Sequence, residues 1–501
     1  MAATAAVLCP WLGRRIWFDE AITIMNFAMS PYPDIYLDYT IPNNHIAYTY
    51  ILKTWLEAVG GILPVSELEF RLPSAALAIL LVVAALRFWR RRMGFHAAFA
   101  AVACLVASAP FAIYGTAVRG YILTTLLVLL GLEAFLRWEE DGKWWRGAIF
   151  FLATLGGVAT IPSNALAFAS LAVLPTPHAS RAIAAAAENG LKNGNFRSFI
   201  LHRILTAALA VAAFLAVYAP LWNALRRALI HNNGWLRPWA ACLHLAAGFI
   251  VAFWPLLAIA VPGAASLLSA TRRKGAPAAL LLPAMAAAVF LVPFAAVLAR
   301  RPAPFPRVFM QMWPIWLYLA GRAATRFMAA RRAKGKNPAA LLTALLAAAF
   351  AAGAVSRIWS AELSSLFTAR GSADDFFHPY YMADNFNPPK TVDKLLDLTR
   401  GHPKRAFLSQ NADFPSIIFY GKLKGVREDY WLFDFPGKTR LANLDPAAGG
   451  RVFLVVWNKS DAWLLKNRFS LQNLRRIDAE TAQKIFGAET AEWHRLHPKP
   501  N

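Results

Sequence analysis

The stretch L-P-S-A-A-L-A-I-L-L-V-V-A-A-L-R-F-W at residues 72–89 contains one charged side chain. About 20 mostly apolar residues allow an α-helix to cross the ~30 Å hydrocarbon core of a bilayer. Similar blocks recur along the 501 residues, which are 58% hydrophobic and 16% charged. The sequence therefore predicts an α-helical polytopic membrane protein.

The formal net charge of +24 could indicate a nucleic-acid partner. In a membrane protein, an excess of Lys and Arg more often marks cytoplasmic loops that face anionic lipid, so no nucleic-acid partner is predicted. The three cysteines, Cys9, Cys104 and Cys242, lie in apolar stretches without metal-ligand spacing. They indicate neither a disulfide framework nor a zinc site.

Counting the apolar blocks predicts about 10–11 spans before residue 357. The blocks lie near residues 72–89, 95–114, 121–138, 147–160, 161–175, 204–222, 238–262, 276–299, 308–325 and 338–357. Residues 1–12 are apolar, too short to span, and lack the basic start of a signal peptide. We expect them to be the outer end of a first span that begins upstream of Met1.

The pair of blocks over 147–175 is ambiguous, because T-I-P-S-N (160–164) could separate two helices or kink one. With two spans, the short loops carry 20 basic residues on the inside and 7 on the outside; with one span the counts are 13 and 14. The positive-inside rule favours two spans. Pro162 lacks a backbone donor, which also suits a break between helices.

This topology places three regions on the outer face: the Asp19–Glu20 segment, the loop with Arg119, and everything after residue 357. Residues 358–501 lack a block that could span and are predicted to form a small soluble α/β domain after a membrane domain over 1–357. Their predicted elements are helices over 391–398, 460–467 and 479–493, and strands over 405–409 and 451–457.

The outer loop over 13–71 contains a further helical pattern, I-A-Y-T-Y-I-L-K-T-W-L-E-A-V at 46–59. Lys53 and Glu57 are spaced i,i+4 on one face, so an ion pair is expected there. A helix lying in the outer membrane interface fits this pattern better than a span.

Five short segments carry a family resemblance. In chain order they are W-F-D-E-A (17–21), N-N-H-I-A-Y-T-Y (43–50), F-R-L-P-S-A-A (70–76), Y-G-T-A-V-R-G-Y (114–121) and R-V-F-M-Q-M-W-P (307–314). Their order resembles that of the GT-C polyprenyl-phosphate-sugar glycosyltransferases, which include protein mannosyltransferases and lipid A aminoarabinose transferases. Two departures are Ile46 and Ala47, where the family has prolines, and Ala117, where it has an acid.

The resemblance implies that Asp19 is the carboxylate base that activates an acceptor hydroxyl or amine at the membrane boundary. It implies that Glu20 orients its neighbours or binds the sugar. The alternative for Asp19 is a helix N-cap, because Asp often precedes an apolar helical run.

A departing lipid phosphate needs cations, and guanidinium groups can hold its oxygens bidentately. The candidates are Arg119, Arg300, Arg301 and Arg307, each with the alternative of contacting lipid headgroups. Arg71 is a further candidate for binding the donor. Because it lies at the start of a predicted span, the alternative is a purely structural role. Tyr121 could bind the donor or belong to an interfacial aromatic belt. His45 is a candidate for contact with the donor or a divalent metal, and no other cofactor is indicated.

The resemblance therefore implies an inverting glycosyltransferase of the bacterial inner membrane. It would move a sugar from undecaprenyl phosphate to a periplasmic glycan, lipopolysaccharide, lipid A or protein. The alternative is a transporter or flippase of a lipid-linked saccharide, which predicts ionisable residues deep in several spans. The acids concentrate in one outer loop instead, which favours the enzyme. An inactive fragment is a third possibility.

Overall fold

A computed structural model provides the coordinates. The residues that it describes are 2–39, 41, 44–60, 66–189, 194–231, 239, 242–243, 246, 250, 256–258, 260–262, 264–265, 278–299, 306–333, 335, 389, 392–393, 396, 405–408, 414–426, 431–433, 452–456, 469–477 and 491–498. The predicted span over 338–357, most of the one over 238–262 and the helix over 460–467 lie outside this part of the chain.

Helices dominate the described residues up to Ala333. The α-helices are α1 (Ala2–Leu12), α2 (Phe18–Ile22), α3 (Tyr32–Leu37), α4 (Ile46–Val59), α5 (Glu67–Ala107), α6 (Ala109–Tyr114), α7 (Tyr121–Asp141), α8 (Trp144–Thr160), α9 (Asn164–Ser170), α10 (Pro177–Asn189), α11 (Gly194–Tyr218), α12 (Trp222–His231), α13 (Ala278–Ala299), α14 (Trp313–Ala333) and α15 (Phe414–Leu423). A π-helix covers Thr23–Ala28, and 3₁₀-helices cover Leu171–Val173 and Pro306–Met312.

The chain divides into two compact units. The first contains Met1–Gly13, Phe27–Leu63 and Leu68–His378, and the second contains Arg14–Asn26, Pro64–Glu67 and Pro379–Asn501. The segment with Asp19 thus groups with C-terminal residues, whereas the sequence suggested that it belongs to the membrane domain. The domain boundary after residue 357 stays a prediction.

Three helices within the described residues are long and apolar enough to cross a membrane: Glu67–Ala107, Tyr121–Asp141 and Phe196–Tyr218. The 21 residues of α7 rise about 32 Å, which matches the hydrocarbon core. Helix α11 leaves large apolar side chains exposed, with Leu201 at 56% and Ile204 at 60%. Such a surface suits contact with lipid tails.

Helix α5 contains two of the predicted spans, 72–89 and the first part of 95–114. No loop separates them; instead, the backbone of Gly94 kinks the helix at φ 77° and ψ 167°. Glycine adopts this positive-φ conformation readily because it has no Cβ. The kink therefore divides one 41-residue element into two arms.

The break predicted at T-I-P-S-N (160–164) is present. Helix α8 ends at Thr160 and α9 begins at Asn164. The Gly157 carbonyl oxygen accepts two hydrogen bonds at the break, from the Ile161 backbone N–H at 3.0 Å and from the Asn164 side-chain amide at 2.6 Å. Helix α9 has seven residues, so 161–175 is not one continuous spanning helix, and the topology deduced from it stays a prediction.

Helix α4 has the predicted bounds, and its predicted ion pair joins Lys53 Nζ to Glu57 Oε1 at 3.0 Å. The Tyr32 hydroxyl donates to Glu57 Oε2 at 2.5 Å. Hydrogen bonds from Tyr32 and then Lys53 hold the pKa of this exposed carboxylate below its usual value. Its location in the membrane interface stays a prediction.

Among the described residues, five strands form one sheet in the order β2-β1-β3-β5-β4. Their bounds are Arg405–Leu408 (β1), Trp431–Phe433 (β2), Val452–Val456 (β3), Phe469–Ile477 (β4) and Ala491–Pro498 (β5). Strand β1 pairs in parallel with β2 and β3, and β5 pairs antiparallel with β3 and β4.

The strands predicted at 405–409 and 451–457 are thus confirmed. The prediction of a helix over 479–493 is wrong for its last three residues, because β5 begins at Ala491 and pairs with a strand on each side. Pairing with two strands depends on residues that are distant in sequence, so the local helical spacing could not predict it. A separate soluble α/β domain over 358–501 stays a prediction.

Candidate active site

The arginine loop, residues 114–121, joins α6 to α7 in the first unit. Thr116, Ala117 and Val118 have no exposed surface, and the Arg119 side chain is 2% exposed. The Arg119 backbone N–H donates 2.7 Å to the Ala117 carbonyl, an i to i+2 contact that makes the loop turn sharply. The loop is therefore a compact, buried turn.

Two side chains from the start of α5 hold this loop. Arg71 Nη1 donates to the Thr116 carbonyl at 3.3 Å, and Ser74 Oγ donates to the Ala117 carbonyl at 2.5 Å. The Tyr48 hydroxyl of α4 lies 2.7 Å from the same serine oxygen. The R-L-P-S segment and the Y-T-Y segment thus converge on the backbone of the third segment.

His45 holds the other end of the arginine loop. Its Nδ1 accepts the Gly120 backbone N–H at 2.8 Å, and the side chain is buried. An imidazole nitrogen that accepts from an N–H carries no proton, so the neutral ring carries its proton on Nε2. The interaction shows His45 positioning the loop.

Glycine is needed at position 120 because of space. A Cβ there would lie 2.2 Å from Thr160 Cγ2 and 2.8 Å from His45 Nδ1. The backbone φ of −76° is ordinary, so the requirement comes from packing. The α8 end and His45 therefore close around the arginine loop.

Arg119 and Tyr121 stand together at the end of the loop. The guanidinium carbon of Arg119 lies 5.8 Å from the Tyr121 ring centroid, within cation–π range. The Tyr121 ring also meets the His45 ring edge to face, with centroids 5.1 Å apart. Tyr121 is a packed side chain between the guanidinium and the imidazole, and a direct contact with a donor stays a prediction.

The acidic helix, Phe18–Ile22, belongs to the second unit. Its N-cap is Trp17, which makes Asp19 the second helical residue and Glu20 the third. Glu20 Oε2 accepts the Trp17 backbone N–H at 3.3 Å, the back-bond of a capping box. Asp19 is therefore not the N-cap; the acid that contributes to capping is Glu20.

The two acids also differ in exposure. The Glu20 side chain is fully buried, whereas Asp19 is 8% exposed. The Asp19 backbone carbonyl accepts the Thr23 hydroxyl at 2.9 Å, which continues the helix into the π-helical segment. Both acids are therefore largely buried, and Glu20 stabilises the start of the short helix that contains Asp19.

Tyr420, on α15, fixes the chain just before the acidic helix. Its hydroxyl accepts the Ile16 backbone N–H at 2.9 Å and donates to Glu67 Oε1 at 2.7 Å. One hydroxyl thus connects three segments of the second unit that are far apart in sequence. Nothing in the local sequence indicates this role.

The remaining candidates are not placed. Arg300 and Arg301 lie outside the described residues, and only the backbone of Arg307 is described. Among the described side chains, no group of three or more His, Cys, Asp or Glu residues has the spacing to hold a metal ion.

Two solved structures share this fold. Crystal structures of ArnT from Cupriavidus metallidurans, in the apo state and bound to undecaprenyl phosphate, each align with a TM-score of 0.53. The chain has the ArnT fold. Sequence identity to ArnT is 14% and 15%, over 98% of this chain and 96% of the ArnT chain.

The resemblance to GT-C glycosyltransferases is thereby confirmed at the level of the fold. No protein-family model matches the sequence, and no curated protein matches it. The ArnT fold together with the long apolar helices is that of a polytopic membrane protein.

Proposed function

We propose that the chain is a membrane glycosyltransferase that moves a sugar from a polyprenyl phosphate, such as undecaprenyl phosphate, to an acceptor on the periplasmic side. The observation that carries the proposal is the arginine loop. Side chains from two distant segments, His45, Arg71 and Ser74, bond to consecutive parts of its backbone and thereby position a buried guanidinium. The ArnT fold supports the same reading.

Arg119 would bind the phosphate of the donor. A guanidinium can donate two parallel hydrogen bonds to phosphate oxygens, and its charge stabilises the phosphate as the bond to the sugar breaks. A positioned donor costs little reorganisation at the moment of reaction, which is why a firmly held loop suits this task.

Asp19 would accept the proton of the acceptor. As the acceptor oxygen or nitrogen forms its bond to the anomeric carbon, the bond from that carbon to the phosphate oxygen breaks. The polyprenyl phosphate leaves with the electron pair, and the acceptor proton passes to the Asp19 carboxylate. Attack opposite the leaving phosphate inverts the anomeric centre. Glu20 supports this step by capping the acidic helix.

The alternative function, transport of a lipid-linked saccharide, predicts ionisable groups in the spans. Helix α7 contains buried acids, but arginines pair with them: Glu133 with Arg92 at 3.0 Å and Glu139 with Arg203 at 2.8 Å. Paired buried charges suit a structural role, so they do not favour the transporter.

The test uses the full chain, purified and reconstituted in vesicles that contain lipid A as the acceptor and, as the donor, undecaprenyl phosphate linked to a pentose, an aminopentose or a hexose. We expect one donor to yield free undecaprenyl phosphate and a glycosylated acceptor, and Asp19→Asn to lower the rate of formation of both about 10²–10⁴-fold. Asp34→Asn, the same change at an exposed carboxylate, is the control. Movement of intact donor across the membrane without release of undecaprenyl phosphate would support the transporter instead.

A further inference from the structure

A groove of about 370 Å³ lies between α7 and α8 on the surface of the first unit. It begins at Leu127, about 9 Å along α7 from Tyr121, and extends to Arg137, about 24 Å from Tyr121. The groove is open to the surroundings, because Leu152, which lines it, is 62% exposed. Because its first residue on α7 lies about 9 Å from Tyr121, the groove is separate from the arginine loop.

The groove is apolar at one end and charged at the other. Leu127, Leu130 and Leu152 line the apolar end, whereas the charged end is lined by Glu133, Arg137 and Arg146. The two helices turn back on each other through Gly142, whose φ of 66° ends α7. Arg146 Nη1 donates 3.0 Å to the Arg137 carbonyl, which holds the end of α7 beside the start of α8.

The length of the groove matches one leaflet of a bilayer. The ten residues from Leu127 to Arg137 rise about 15 Å, half of the ~30 Å hydrocarbon core. Trp144 and Trp145, at the charged end, are 80% and 42% exposed. Exposed tryptophans are typical of the membrane–water interface, so the charged end lies at headgroup depth.

Cations exceed acids at the charged end. Arg92 pairs with Glu133 and Glu140, Arg137 pairs with Glu133, and Arg146 and Lys143 share Asp141, so four cations face three acids. The Arg146 Nε is buried and has no hydrogen-bond partner within the described part of the chain. Lys143 is 58% exposed, which leaves its ammonium accessible to an added anion.

We propose that this groove binds one anionic phospholipid of the bilayer. An acyl chain would lie along the leucines, and the headgroup phosphate would accept hydrogen bonds from Arg146 and Lys143. Basic pockets between transmembrane helices bind anionic lipid headgroups in this way. Charge complementarity selects an anionic lipid over a zwitterionic one, whose own ammonium would meet Arg146.

The test is native mass spectrometry of the full chain with phosphatidylglycerol and phosphatidylcholine of the same acyl chains. We expect phosphatidylglycerol to bind at least fivefold more tightly. Arg146→Gln should weaken its binding about fivefold, equivalent to about 1 kcal/mol for one cation near the headgroups. Arg226→Gln, which removes an exposed arginine from α12, should leave binding unchanged.

A second variant tests the groove itself. Leu130→Trp fills the apolar end while Arg146 stays in place, and it should abolish retention of phosphatidylglycerol without changing sugar transfer. Equal affinity for both lipids, or equal losses for Arg146→Gln and Arg226→Gln, would overturn the proposal. Displacement of phosphatidylglycerol by equimolar undecaprenyl phosphate would also overturn it, because the groove would then be a site for the donor lipid.

Discussion

The arginine loop and the acidic helix are held in different ways. The loop depends on side chains that come from 43 to 75 positions away in sequence: Ser74, Arg71 and His45. The acidic helix contains its own capping bond, in which Glu20 accepts the Trp17 N–H, and Tyr420 fixes the chain before it at Ile16. A change near the loop should therefore displace Arg119, whereas Asp19→Asn leaves the capping bond of the acidic helix in place.

The largest expected effect is that of Asp19→Asn. The amide keeps the size of the side chain but cannot act as the base, so turnover should fall about 10²–10⁴-fold. Asparagine also leaves the capping bond between Glu20 and Trp17 in place, so expression should stay near that of the unchanged chain. Release of undecaprenyl phosphate under saturating donor measures the effect. An active Asp19→Asn variant would remove Asp19 from the chemistry.

The second effect tests the packing of the arginine loop. Gly120→Ala would place a Cβ against Thr160 and His45, which requires one of them to move. A displacement of about 1 Å in a positioning element can cost about 10²-fold in rate. We therefore expect kcat/KM for the donor to fall about 10²-fold in Gly120→Ala.

Gly13→Ala is the matched control for Gly120→Ala, because a Cβ at position 13 meets nothing within 4 Å. It should leave kcat/KM unchanged. Full activity of Gly120→Ala would show that the loop tolerates displacement and that the contact from His45 is not needed.

Part of the structure could be predicted from local features of the sequence. The spacing of Lys53 and Glu57 and the prolyl break at 160–164 are local features, and both are confirmed. The order of the motif segments was sufficient to predict the fold. The contacts of Ser74 and Tyr420 could not be predicted, because each depends on a backbone atom brought near by long-range folding.

A smaller effect is expected for Ser74→Ala. The change removes a donor from the buried Ala117 carbonyl and a partner from the Tyr48 hydroxyl, at a cost of about 1–3 kcal/mol in stability. Thermal unfolding in detergent measures it, with the exposed Ser198→Ala as control. Equal midpoints for the two variants would mean that Ser74 does not stabilise the arginine loop.

The smallest effect separates the two acids. Gln can replace Glu at the third position of a capping box, so Glu20→Gln should keep the bond to Trp17 and lose less than about tenfold in turnover. The same assay as for Asp19→Asn measures it. A loss as large as that of Asp19→Asn would give the Glu20 charge a part in the chemistry.

The central claim is that Arg119 binds the donor phosphate and that Asp19 performs the proton transfer. The dissociation constant for undecaprenyl phosphate alone tests it most directly, measured for the unchanged chain, Arg119→Lys and Asp19→Asn. Lysine keeps the charge but loses the bidentate geometry. We expect Arg119→Lys to weaken binding about tenfold or more, equivalent to about 1.4 kcal/mol, and Asp19→Asn to leave it unchanged. Unchanged binding by Arg119→Lys, or an equal loss in both variants, would contradict the account.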